Sequence, residues 1–93
     1  MKVVYKITYP NGKVYVGMDL TDTVTYMGSV NAALVAAELS PEQRRDLVVR
    51  KEILWESEDA TDSEVRAVEK ETILRIGSNN PAVGYNRTPK FRG

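Results

Sequence analysis

One glutamate in this sequence stands where a glutamate is costly. In the stretch from Ser63 to Ile76, taking about 100° per residue from Val65, the side chains of Val68, Thr72, Ile73 and Ile76 fall within roughly 80° of it. They form an apolar stripe suited to meet a sheet. Glu69 falls at about 40°, inside that stripe, while Glu64 and Glu71 fall at roughly 260° and 240°, on the outer face with Arg75. A carboxylate taken from water costs several kcal/mol unless it is paired, hydrogen-bonded or bound to a cation. Either Glu69 sits at the stripe's margin and bends to solvent or to a lysine, or it is a metal ligand or catalytic acid at the rim of the sheet. The other reactive groups are two phenols, Tyr5 and Tyr15, ten positions apart. The chain has no histidine and no cysteine, which excludes zinc fingers, thiol proteases, Ser-His-Asp triads and disulfides.

The elements must bring these groups together. Residues 2 to 9 are β-branched and aromatic in near alternation, the pattern of a strand, with Val3, Tyr5, Ile7 and Tyr9 on one face. Pro10-Asn11-Gly12 supplies a first-position proline, an asparagine and a glycine able to take positive φ, as a three-residue hairpin loop requires. The return strand is Lys13 to Gly17. That loop places Tyr5 opposite Gly17 and Ile7 opposite Tyr15, so that Tyr5, Lys13 and Tyr15 share a surface with space left at Gly17. A two-residue Asn-Gly loop would separate the tyrosines; the proline favours the longer loop.

Met18 to Ser29 is polar, threonine-rich and mostly loop, and Tyr26 and Met27 in it either close over the site or cover the core. Ser29 or Asn31 can cap a helix over Val30 to Leu39, and Ser40-Pro41-Glu42 restarts a short helix to about Asp46. Leu47 to Trp55 reads as a third strand, with Trp55 in the core. Thr61 or Asp62 caps the last helix, which Gly77 ends.

At 93 residues, with 42% hydrophobic and 28% charged residues, the chain is expected to form a single domain over residues 1 to 93. No apolar run is long enough to span a bilayer and none follows a basic amino terminus, so the reading is a soluble, cytoplasmic protein without a membrane partner. Thirteen basic residues balance thirteen acidic ones. They are unevenly spread: none lies between Lys13 and Arg44, while Arg87, Lys90 and Arg92 fall in the last seven positions.

Val3-Val4-Tyr5 and Tyr15-Val16-Gly17 resemble the two signature tripeptides of the GIY-YIG nuclease family. The strand Arg50 to Trp55, the helix carrying Glu69, the Ser78-Asn79-Asn80-Pro81 loop and the closing Gly84-Tyr85-Asn86 resemble its later elements, in order. The resemblance implies an α/β (α+β) fold, a small three-stranded antiparallel sheet flanked by helices, and hydrolysis of DNA phosphodiester bonds with Mg²⁺ or Mn²⁺. It implies Tyr15 as general base or proton relay with Tyr5 beside it, Glu69 holding the metal and Asn86 supporting the site. A phenol with an ordinary pKa near 10 needs a nearby cation to ionise, which Lys13 could supply.

The sequence departs from the family at the first helix, where an arginine that binds the scissile phosphate is expected. Val-Asn-Ala-Ala-Leu-Val-Ala-Ala-Glu-Leu has no basic residue. Arg44, Arg45 or Arg50 could reach the phosphate instead, although Arg44 and Arg45 also suit the exposed side of a short helix. Arg87, with Lys90 and Arg92, could touch the nucleic-acid backbone or belong to a solvated tail. The alternative function is a catalytically degenerate module on the same fold that binds nucleic acid or a protein. Specificity would come from a protein partner, a homodimer or not at all.

Overall fold

The hairpin sets the architecture. In the computed structural model, which describes residues 1–28 and 30–93, β1 (Lys2–Thr8) and β2 (Val14–Asp19) are antiparallel. The Tyr9 amide donates to the Lys13 carbonyl and the Gly12 amide to the Tyr9 carbonyl, each at 2.9 Å, with Gly12 at φ +86°. Pro10-Asn11-Gly12 is therefore the loop, and Tyr5 lies opposite Gly17 and Ile7 opposite Tyr15. The return strand runs on to Asp19, two residues beyond the expected end, because Val4 and Val3 still offer partners to Met18 and Asp19.

β3 (Arg50–Ser57) pairs antiparallel with the other edge of β1, giving the order β2-β1-β3. Its ends are set by β1 and not by its own composition. Thr8 pairs with Arg50, so the apolar Leu47 and Val48 before it have no neighbour on β1 and stay exposed. Lys2 pairs with Ser57, which keeps the polar Glu56 and Ser57 in the strand. Between Val4 and Tyr5 the register shifts: Val4 faces Trp55 and Tyr5 faces Ile53, leaving Leu54 as the extra residue of a bulge.

Each helix begins at an oxygen-bearing cap. Asn31 caps α1 (Ala32–Glu38), its side chain accepting from the Leu34 amide at 3.2 Å; Ser29, the other expected cap, lies outside the described residues. The helix is shorter than expected because Ser40, extended to cap α2 (Pro41–Arg45), precedes a proline that excludes helical backbone. Thr61 and Glu64 form a capping box at the start of α3 (Asp62–Ile76), and Gly77 ends it in left-handed backbone. Among the described residues the fold is thus α+β, with a three-stranded antiparallel sheet and three helices. None of these helices is long and apolar enough to cross a membrane.

The two faces of the sheet bury different sets. Val4 and Val16 pack with Ala60 and with Val65 and Ile73 of α3, and Val68, Ile76 and Trp55 close around them. Val3, Tyr5, Ile7 and Tyr9 point the other way, toward Val35 of α1 and Tyr85, with Tyr15 and Val30 alongside. The α3 stripe therefore meets the sheet as its spacing requires, on the face opposite the tyrosines.

The outer edge of β2 is covered by the chain after α3. The Val14 amide donates to the Val83 carbonyl (3.2 Å) and the Tyr85 amide to the Val14 carbonyl (2.9 Å). Beyond them the Asn86 side chain continues the ladder: its Oδ1 accepts from the Val16 amide and its Nδ2 donates to the Val16 carbonyl, both at 2.8 Å. One amide side chain thus satisfies both backbone groups of a fully buried residue. Asn86→Ala removes both bonds and is expected to lower stability by about 2 kcal/mol, read from urea unfolding. A loss below about 0.5 kcal/mol would mean that the edge holds without it.

Candidate active site

Tyr5 is the most enclosed member of the site. Its side chain is fully buried, and among the described residues its hydroxyl has no hydrogen-bond partner. Two glycines make room for it. A Cβ on Gly17, directly across the hairpin, would collide with the Tyr5 hydroxyl. One on Gly28 (φ +80°) would sit 2.5 Å from the same oxygen and 2.6 Å from the Tyr15 ring. Burial pushes the Tyr5 phenol far above its ordinary pKa, and the charges of Tyr15, Tyr26, Asp19 and Glu69 push it further. Tyr5 therefore keeps its proton at neutral pH. Tyr15 is half-buried and lines a cavity of about 330 Å³ with Val30, Asn31, Tyr85, Arg87 and Thr88.

Glu69 lies on α3, which packs against the opposite face of the sheet. It is half-buried, lines a cleft with Lys70, Ile73, Thr88 and Pro89, and makes no hydrogen bond or ion pair with the described residues. Burial raises its carboxyl above the ordinary value, against a smaller pull from Arg66. Its charge is among those that raise the Tyr5 phenol, so the two lie within electrostatic reach. Thr88 lines both the Glu69 cleft and the Tyr15 cavity, which makes them neighbours.

The remaining expected residues are placed as follows. Lys13 does not face Tyr15 with a free ammonium: Nζ is 2.7 Å from the Glu38 carboxylate and 5.4 Å from the centre of the Tyr85 ring. The Tyr85 hydroxyl donates to the same Glu38 oxygen at 2.8 Å, and Asn11 donates to that hydroxyl. These four residues tie the hairpin turn to α1 and to the closing segment. Asn86 supports the site through backbone, holding Val16 between Tyr15 and Gly17. Arg44 and Arg45 line clefts that include neither Tyr5, Tyr15 nor Glu69. Arg50 lies on the far edge strand and is paired with Glu52 at 3.3 Å. Of the expected arginines, Arg87 alone lines the cavity of Tyr15.

Two residues outside the expected set shape the site. Lys51 donates to the carbonyls of Thr23 and Tyr26 at 3.1 and 2.9 Å, and its ammonium stands 4.6 Å from the centre of the Tyr5 ring. Asp19 accepts from the amides of Thr21 and Thr23 and from the Thr21 hydroxyl. Burial pushes its carboxyl up, but these bonds and Lys51 outweigh burial and leave its pKa below the ordinary value. Together they fix the loop that carries Gly28 over Tyr5, with the Tyr26 ring edge-on to Tyr5 at 6.2 Å. Asp19-Leu20-Thr21-Asp22-Thr23 is a legible Asx-turn signal. Nothing in the spacing of Lys51 marks it, because its role depends on where β3 pairs.

No family model matches the chain, and neither does any curated protein or solved structure.

The Glu69 environment makes a pH prediction. Its folded pKa is raised, so its contribution favours folding below the ordinary glutamate value and is lost as pH rises through the raised one. Glu69→Gln is therefore expected to raise the unfolding temperature at about pH 7 and to leave it unchanged at about pH 3, where both side chains are neutral. An equal effect at both values would show that the carboxylate is not paying for burial.

Proposed function

We propose that this chain is a metal-dependent endonuclease of the GIY-YIG type that hydrolyses phosphodiester bonds in DNA. The observation that carries this reading is that a buried Tyr5 hydroxyl and a half-buried Glu69, both without a hydrogen-bond or ion-pair partner among the described residues, lie within electrostatic reach of each other, while Tyr15 lines a cavity that meets the Glu69 cleft at Thr88. Among the described residues, Tyr5 and Glu69 are left without the partners that a purely structural role would supply. Such sites cost stability and are characteristic of function.

The roles follow from the environments. Tyr5, held protonated by burial, donates a hydrogen bond. Tyr15, on the cavity lining, is the phenol that takes the proton of the attacking water. Glu69 is the metal ligand. Among the described residues no three carboxylates gather around one point, so this residue set does not form a cage. The set does fit Mg²⁺ or Mn²⁺ of the kind held by one carboxylate, waters and the substrate's own phosphate, because an unpaired, desolvated carboxylate gains most from a hard cation. A divalent ion held there supplies charge stabilisation on the phosphate and a lower pKa for nearby water.

A second reading has its own observation: α1 carries no basic residue, and a site without the family's arginine could retain binding while losing turnover. Plasmid cleavage separates the two. The nuclease reading predicts nicking of supercoiled DNA with Mg²⁺ or Mn²⁺, abolished by Glu69→Ala and reduced about 10²-fold or more by Tyr15→Phe. Wild-type protein that binds DNA but leaves it intact across both metals would favour the binding module.

A further inference from the structure

We infer that the cavity shared by α1 and α2 binds a small apolar monocarboxylate, its hydrocarbon body against α1 and its carboxylate on Arg44. The cavity has a volume of about 290 Å³, at the lower end of those that hold small organic ligands. Its lining includes none of Tyr5, Tyr15 and Glu69, so the inference stands apart from the nuclease reading. Local sequence explains why the space is open. Ala32 and Ala36 lie one turn apart on α1, and their methyl groups are too short to fill it beside Val35 and Leu39. Leu47, also on the lining, stays 55% exposed because β3 begins only at Arg50, where Thr8 gives it a partner.

The walls are held by the fold itself. Tyr9 is buried, with its amide bonded to the Lys13 carbonyl and the Tyr85 ring edge-on to its own at 5.4 Å. Arg44 is carried by α2, whose start is locked by the Ser40–Gln43 capping box, and its amide donates to the Ser40 carbonyl at 3.0 Å. Arg44 is the only charged residue among the described lining, and the others are aliphatic apart from Tyr9. A ligand therefore meets hydrocarbon everywhere except at one guanidinium. A carboxylate presents two oxygens to that fork of donors and balances its single charge, with no acid on the lining to compete. An ammonium would be repelled there, and an alcohol would leave most of the donors to water.

The experiment is an NMR titration of the full chain with hexanoate, hexanol and hexylammonium. Hexanoate is expected to bind saturably and about tenfold more tightly than hexanol, with hexylammonium weakest. The largest amide shifts should fall at Ala32, Ala36, Arg44 and Leu47. Arg44→Gln should weaken hexanoate about tenfold and change hexanol by less than about twofold. Arg45→Gln, next to Arg44 but outside the lining, should change neither by more than about twofold. Ala36→Leu keeps a strong helix former on α1 and fills the space, so it should weaken both ligands. Equal affinity for hexanoate and hexanol, or hexanoate binding that survives Arg44→Gln, would overturn the inference. Shifts centred on Tyr15 and Arg87, or no saturable binding of hexanoate, would overturn it equally. None of these outcomes depends on DNA cleavage.

Discussion

Everything at this site depends on the register of one hairpin. With three residues in the turn, Tyr5 stands opposite Gly17, and the missing side chain is the space that the Tyr5 hydroxyl occupies. A slip of one residue would turn every side chain of β2 to the other face, taking Val16 out of the α3 core and turning Tyr15 toward it. The register is held from both directions: Gly12 and Pro10 shape the turn, and the Asn86 side chain fixes Val16 from the open edge. The bulge at Leu54 and the clamp of Lys51 on the loop over Tyr5 then close the remaining sides.

Charge follows the same layout. The chain has no net charge, and several of its cations hold structure. Lys13 is used by Glu38, Lys51 by loop carbonyls and Arg50 by Glu52. Arg87 lines the cavity of Tyr15. On the other side of Thr88, Glu69 is the half-buried acid without a partner among the described residues.

Much of this was legible before any coordinates. Turn chemistry at Pro10-Asn11-Gly12 gave the register, helix spacing singled out Glu69, and the caps at Asn31, Ser40 and Thr61 marked three helix starts. What local pattern could not give were features that depend on distant pairing. The ends of β3 are decided by the length of β1, so Leu47 and Val48 look like strand and are not. Lys13 appears free until Glu38 arrives from α1, 25 residues away in the chain. Lys51 acquires its role only once Ile7 is its neighbour. The tail is tied down at Asn86, bonded to Val16, and at Pro89, whose carbonyl accepts from Asn79, and no local pattern marks either bond.

The central claim is that this fold gives up stability at Tyr5 to keep a polar group available, and equilibrium unfolding of Tyr5→Phe tests it most directly. Removing a buried hydroxyl that has no hydrogen-bond partner among the described residues is predicted to stabilise the protein by about 1 kcal/mol. A loss of stability of that size would mean that the hydroxyl is bonded within the fold, and would contradict the account of the site as one whose polar groups are held open for a substrate.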